Sequence, residues 1–102
     1  MSKLKPVHPG EILVEDFLRP LGLTANKLAI ELRVAPHRLY QIVNCERRIT
    51  ADTALRLGRY FGTTAAFWMN LQTQFDLDSA EDQMAEEINQ AVRPRDSRVT
   101  TQ

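Results

Sequence analysis

Leu13, Phe17 and Leu21 stand four residues apart with Ile12 and Leu18 beside them, a stripe that predicts a first helix opening near Pro9 or Gly10. Proline is in its favoured early position there, and Glu11, Glu15 and Asp16 complement the positive helix end. Pro20 and Gly22 are expected to stop it. Thr24 reads as the N-cap of a second helix whose buried face is Leu28, Ala29 and Leu32. After a break at Arg33-Val34-Ala35, a third helix opens with Pro36, turns Leu39, Ile42 and Val43 inward and runs to about Asn44. Thr50 caps a fourth, in which Ala54, Leu57, Gly58 and Phe61 follow the helical template until Gly62 closes it. The fifth follows Thr63-Thr64 and is the most aromatic, with Phe67, Trp68, Leu71 and Phe75. Beyond Asp78 a sixth segment aligns Ala80, Met84, Ile88 and Val92, with acids early and Arg93 and Arg95 late. No run alternates as a half-buried strand would, so the expected class is all-α. The divisions expected are an arm at 1–8, a domain at 9–78, a C-terminal helix at 79–93 and a flexible tail at 94–102.

Length and composition change this picture little. A chain of 102 residues, 43% hydrophobic and 25% charged, is one ordinary globular domain. No apolar run reaches a membrane span and the start lacks an apolar leader, so a cytoplasmic protein with no membrane partner is expected. One cysteine, Cys45, excludes an internal disulfide, and with only His8 and His37 beside it no metal or other cofactor is expected. His8 reads as a loop histidine ahead of a helix start. Nothing resembles a nucleophile–base pair or a phosphate-cradling glycine loop, so the chain is not expected to be an enzyme.

Charge is more informative by position than by sum. The net charge is zero, yet residues 1–60 carry ten Lys/Arg against six Asp/Glu, and residues 61–102 carry three against seven. The basic half is where the second and third helices lie. Residues 24–44 have the form of a helix-turn-helix: two short helices, a small Ala29 at their close approach, and Val34 pointing inward from the turn. The outward positions of the third helix are then Pro36, His37, Arg38, Tyr40, Gln41 and Asn44, with no carboxylate among them. Arg and Gln can make paired hydrogen bonds to guanine and adenine edges. Arg47 and Arg48 follow where a DNA backbone would pass, and Thr24 and Lys27 stand at the start of the second helix, where free N–H groups favour a phosphate. The fifth helix and the segment after it, through Phe67, Phe75, Met84 and Ile88, are candidates for a dimer interface. The six carboxylates between Asp76 and Glu87 cannot face DNA and would suit a basic protein.

These residues also carry a resemblance. The stretches His-Pro-Gly-Glu-Ile-Leu at 8–13, Leu-Gly-Leu-Thr at 21–24, Leu-Ala at 28–29, Arg-Arg-Ile-Thr at 47–50, Ala-Leu-Arg-Leu at 54–57 and Phe-Trp-Met-Asn-Leu-Gln at 67–72 resemble the HigA-type antitoxins. These are a branch of the XRE/Cro helix-turn-helix regulators, and the likeness covers roughly residues 8–80. It implies a five-helix, lambda-repressor-like DNA-binding domain with a C-terminal helical extension. It also implies a homodimeric repressor that binds double-stranded DNA at a palindromic operator of its own operon and neutralises a small ribonuclease toxin that cuts messenger RNA. The alternative is a stand-alone regulator with no toxin. By position, His37, Arg38 and Gln41 fall where the family reads bases, and Thr24, Asn44, Arg47 and Arg48 fall at or near backbone contacts, with Lys27 and Tyr40 beside them. Arg33 and Cys45 stand where relatives often have glycine, so Arg33 is expected in a left-handed conformation. Ala35 cannot cap the third helix, and Ala25 replaces a polar residue of many relatives.

Overall fold

The computed structural model describes residues 5–95; residues 1–4 of the expected arm and 96–102 of the expected tail lie outside them. Five helices make up the described chain, with no strand among them. Helix α1 (residues 9–21) begins as an α-turn, Pro9–Ile12, widens into a π-helical stretch, Leu13–Leu18, and ends with Arg19–Leu21. Arg19 N–H donates to the Val14 carbonyl, five residues back. The cause lies at Pro20, which has no N–H to give and whose ring would collide with the carbonyl four residues before it. Pro20 therefore sits within the last turn instead of ending the helix, and Gly22, at φ 62°, stops it. The widened turn also shifts the buried stripe: Leu18 is buried, while Leu21, expected in line with Leu13 and Phe17, is 62% exposed.

Helix α2 (Ala25–Leu32) opens as expected on Thr24, whose hydroxyl accepts from Lys27 N–H at 3.0 Å. It ends at Arg33, left-handed at φ 61°. Helix α3 (Pro36–Val43) has no side-chain cap at Ala35. Helix α4 (Ala51–Phe61) starts after Thr50, which occupies the N-cap position but makes no side-chain capping bond. The core between them holds Leu13, Leu28, Leu39, Ile42, Ile49 and Leu57, all fully buried, and Val34 packs against it from the turn.

Helix α5 (Ala65–Ala91) is a single helix of 27 residues. The break expected near Asp78 is absent, because no glycine or proline interrupts residues 65–91 and the side chain of Gln74 bridges to Asp78 at 2.9 Å. What reads in the sequence as two segments is one helix whose apolar face changes sides. Trp68 and Gln72 face the core and are buried, whereas Leu77, Met84 and Ile88 lie on the opposite side and are 61%, 42% and 45% exposed. The outer half thus projects from the bundle and stretches the molecule to 53 × 25 × 22 Å. No described helix is long and apolar enough to cross a membrane.

Two residues at the start of α1 lock it against the helix-turn-helix. The ring of His8, 5% exposed, accepts Gly10 N–H on Nδ1 at 2.8 Å and so caps α1. A Cβ on Gly10 would overlap the carbonyl oxygen of Ile42, so only glycine lets α1 lie this close to α3.

Candidate nucleic-acid interface

Successive residues of an α-helix are about 100° apart, so the side opposite Leu39, Ile42 and Val43 is shared by positions 37, 40, 41 and 44. His37, Tyr40 and Asn44 are exposed there and Gln41 is half-buried, giving a polar strip with no carboxylate. Arg38 is not on that strip. It lies on the flank of α3 beside the first turn of α4, half-buried, with Nη2 2.7 Å from Asp52 Oδ2. Asp52 in turn accepts from Arg56 Nε at 3.1 Å, and Arg56 Nη1 donates to the Leu32 carbonyl at 2.8 Å. Hydrogen bonds from Arg56, and then from Arg38, hold the Asp52 carboxyl below its ordinary pKa. This chain joins the C-terminus of α2, the flank of α3 and the start of α4. Arg38, expected at the base edges, lies on the α4-facing flank of α3 and is paired with Asp52 in this structure.

The expected backbone contacts form the rim of the strip. Arg47 and Arg48 are exposed on the segment between α3 and α4. That segment turns sharply at Cys45, left-handed at φ 63°, a conformation that glycine would adopt without strain. Partial desolvation by its neighbours, and then Glu11, push the pKa of the exposed Cys45 thiol up. Arg48 Nη1 donates to Asp76 at 2.9 Å. On the other rim Thr24 is exposed, and since its oxygen accepts from Lys27 N–H, its own O–H can still donate. Lys27 pairs with Glu31 at 3.1 Å, the lysine largely and the glutamate partly exposed, a contact weak enough to yield to a phosphate.

Of the four expected interface residues, Phe67, Met84 and Ile88 are exposed, and Phe75 is half-buried, edge-on to the His8 ring at 4.9 Å. Sequence reasoning missed His8, Asp52, Arg56 and Gln72. A signal existed for Gln72, a polar residue one turn beyond Trp68 on the core-facing stripe. Among the described residues no group of three or more His, Cys, Asp or Glu could hold a metal ion.

No family model matches the chain. It is 54% identical over 80 residues to "Virulence-associated protein I" of Dichelobacter nodosus, covering 78% of this chain and 74% of that one. It is 34% identical over 86 residues to "Antitoxin HigA-1" of Vibrio cholerae, covering 84% and 81%. Among solved structures, antitoxin HigA of Pseudomonas aeruginosa with the higBA promoter superposes with a TM-score of 0.86 at 42% identity, over 88% of this chain and 98% of that one.

Proposed function

The chain belongs to the HigA family of helix-turn-helix antitoxins, and from that premise we propose that it represses its own operon as a homodimer and neutralises a small mRNA-cleaving ribonuclease. The observation that carries the DNA-binding half is the carboxylate-free strip of α3. His37 and Gln41 read base edges in the major groove, with Tyr40 and Asn44 beside them. Thr24 and Lys27 grip the backbone on one rim, and Arg47 and Arg48 on the other. Arg38 supports the strip from its flank through Asp52.

One recognition helix covers only a few base pairs, so a second copy is needed to read a palindrome, with half-sites about 34 Å apart or a multiple of that. The exposed stripe Leu77, Met84 and Ile88 supplies the apolar face for that copy. Glu81, Glu86 and Glu87 are exposed and suit a basic, RNA-handling toxin, whose capture complementary charge would speed.

Fluorescence anisotropy with a duplex from the protein's own promoter, against a scrambled duplex, tests the repressor. Equal affinity for both would overturn it. Adding the chain to the ribonuclease of the adjoining gene tests the antitoxin: undiminished mRNA cleavage at stoichiometric excess would reject that half and leave a stand-alone regulator.

A further inference from the structure

Gln72 faces the core of α5 and is 1% exposed, yet it is the first link of a path that ends at the DNA-facing rim. Its Oε1 accepts Ile49 N–H at 2.7 Å, and its Nε2 donates to Asp76 Oδ1 at 2.9 Å. The other oxygen of Asp76 accepts from Arg48 Nη1 at 2.9 Å. A leucine or methionine would fill the same volume, so packing alone does not account for an amide here. What it supplies is a fixed acceptor for a buried backbone N–H and a fixed donor for one face of a carboxylate. The segment it holds needs both. Between Glu46, whose N–H is tied back to the Gln41 carbonyl, and Ile49, whose side chain is fully buried, the chain leaves α3 and exposes Arg47 and Arg48.

We propose that Gln72 and Asp76 are positioning residues for DNA-backbone binding: Gln72 sets the level of the α3–α4 segment on α5, and Asp76 aims the Arg48 guanidinium. A guanidinium has five N–H donors in a rigid fork. With Nη1 held by Asp76, the fork is pre-oriented and its remaining donors are presented to a phosphate. Fixing a long side chain before binding removes part of the ordering cost at the interface. The inference rests on the DNA-binding reading above.

The test compares operator and scrambled duplexes across a salt series, for the full chain and for Gln72→Met. Both affinities should fall by the same factor, about tenfold, as for one lost charge-assisted contact. The slope of log affinity against log salt should drop by about one. In an Arg48→Ala background the effect of Gln72→Met should vanish, since Gln72 acts through Arg48. Trp68→Phe, which removes the 2.8 Å bond to Thr63 elsewhere on the same helix, serves as control and should leave the slope unchanged. If Gln72→Met does not fold, the same cycle with the partly exposed Asp76→Ala cancels the general gain from removing a negative charge and isolates the aiming effect. Amide exchange at Ile49 in the free protein judges the pin without DNA: it should accelerate in Gln72→Met. Additive effects of Gln72→Met and Arg48→Ala, an unchanged slope, or an Ile49 amide as protected as before would each overturn the proposal. An unaltered chain with no DNA affinity would instead overturn the DNA-binding reading, with Ile49 exchange still deciding whether Gln72 holds the segment.

Discussion

Gly10→Ala sets two effects against each other, and their sizes decide the sign. In an open helix the change is favourable by at most about 1 kcal/mol, because alanine loses less backbone freedom on folding. Here the added methyl would overlap the carbonyl oxygen of Ile42, with the Ile42 carbon at 3.0 Å and the His8 ring nitrogen at 3.1 Å. Two of these three atoms are main chain, so no rotamer change relieves the contact and α1 must lift away from α3. Overpacking of this kind costs about 1–3 kcal/mol, and an obstructed backbone belongs at the upper end. The net expectation is a loss of about 1–2 kcal/mol, which in a domain of this size lowers the thermal midpoint by roughly 5–15 °C. Thermal and urea unfolding followed by circular dichroism measure it, with Gly22→Ala as comparison: nothing lies within 4 Å of a Cβ there, and only the left-handed φ of 62° opposes the change. Because Ile42 lies on the recognition helix, Gly10→Ala should also weaken operator binding below the midpoint, where the protein is still folded. A midpoint equal to or above that of the unaltered chain would refute the close approach of α1 and α3.

Three further outcomes are expected. Gln41→Ala should cost about 1–3 kcal/mol on the operator and relax base preference, whereas Arg47→Ala should weaken operator and scrambled DNA alike and flatten the salt dependence; matching profiles would sink the division between strip and rim. Ile88→Glu should give a monomer by light scattering with the helical content retained, and a dimer that survives it would move the interface off the outer half of α5. Burial holds the pKa of His8 below its ordinary 6.5, opposed by Glu11, the Arg47 backbone and Asp76. The unfolded chain therefore takes up the proton first, so stability from His8 is complete above about pH 6.5 and declines as pH falls towards the folded-state pKa. Urea midpoints at pH 7.5 and 5.5 should differ more for the unaltered chain than for His8→Asn, which can still cap α1, and equal differences would refute the role of His8.

The helix starts were legible because they rest on local chemistry. Thr24 and Thr64 cap through their own hydroxyls, whereas the left-handed Arg33, which ends α2 with its N–H on the Ala29 and Ile30 carbonyls, was expected only from the family likeness. The positions of Leu21 and Arg38 were not, and for related reasons. One widened turn caused by Pro20 rotates Leu21 out of line, and one carboxylate on the next helix, Asp52, pairs with an arginine that its outward position on the third helix and the family likeness assign to base reading. Both depend on geometry that periodicity averages away. The apparent break at Asp78 is the reverse case. The alignment of Ala80, Met84, Ile88 and Val92 was read as a separate segment, but its cause is a helix leaving the core, since a helix needs no joint to present one side inward and later the other side outward.

That absence of a joint has a mechanical consequence. The outer half of α5, residues 77–91, is a lever about 22 Å long built into the wall of the DNA-binding core. Anything that grips its far end also loads the core that carries α3, through α4 and α1, on which α5 packs. A tilt of about 5° at its root displaces the end by about 2 Å, a large fraction of the rise of one base pair, about 3.4 Å. Were two copies to pair through this half, the spacing at which they meet DNA would be a matter of beam stiffness, written into residues outside the helix-turn-helix.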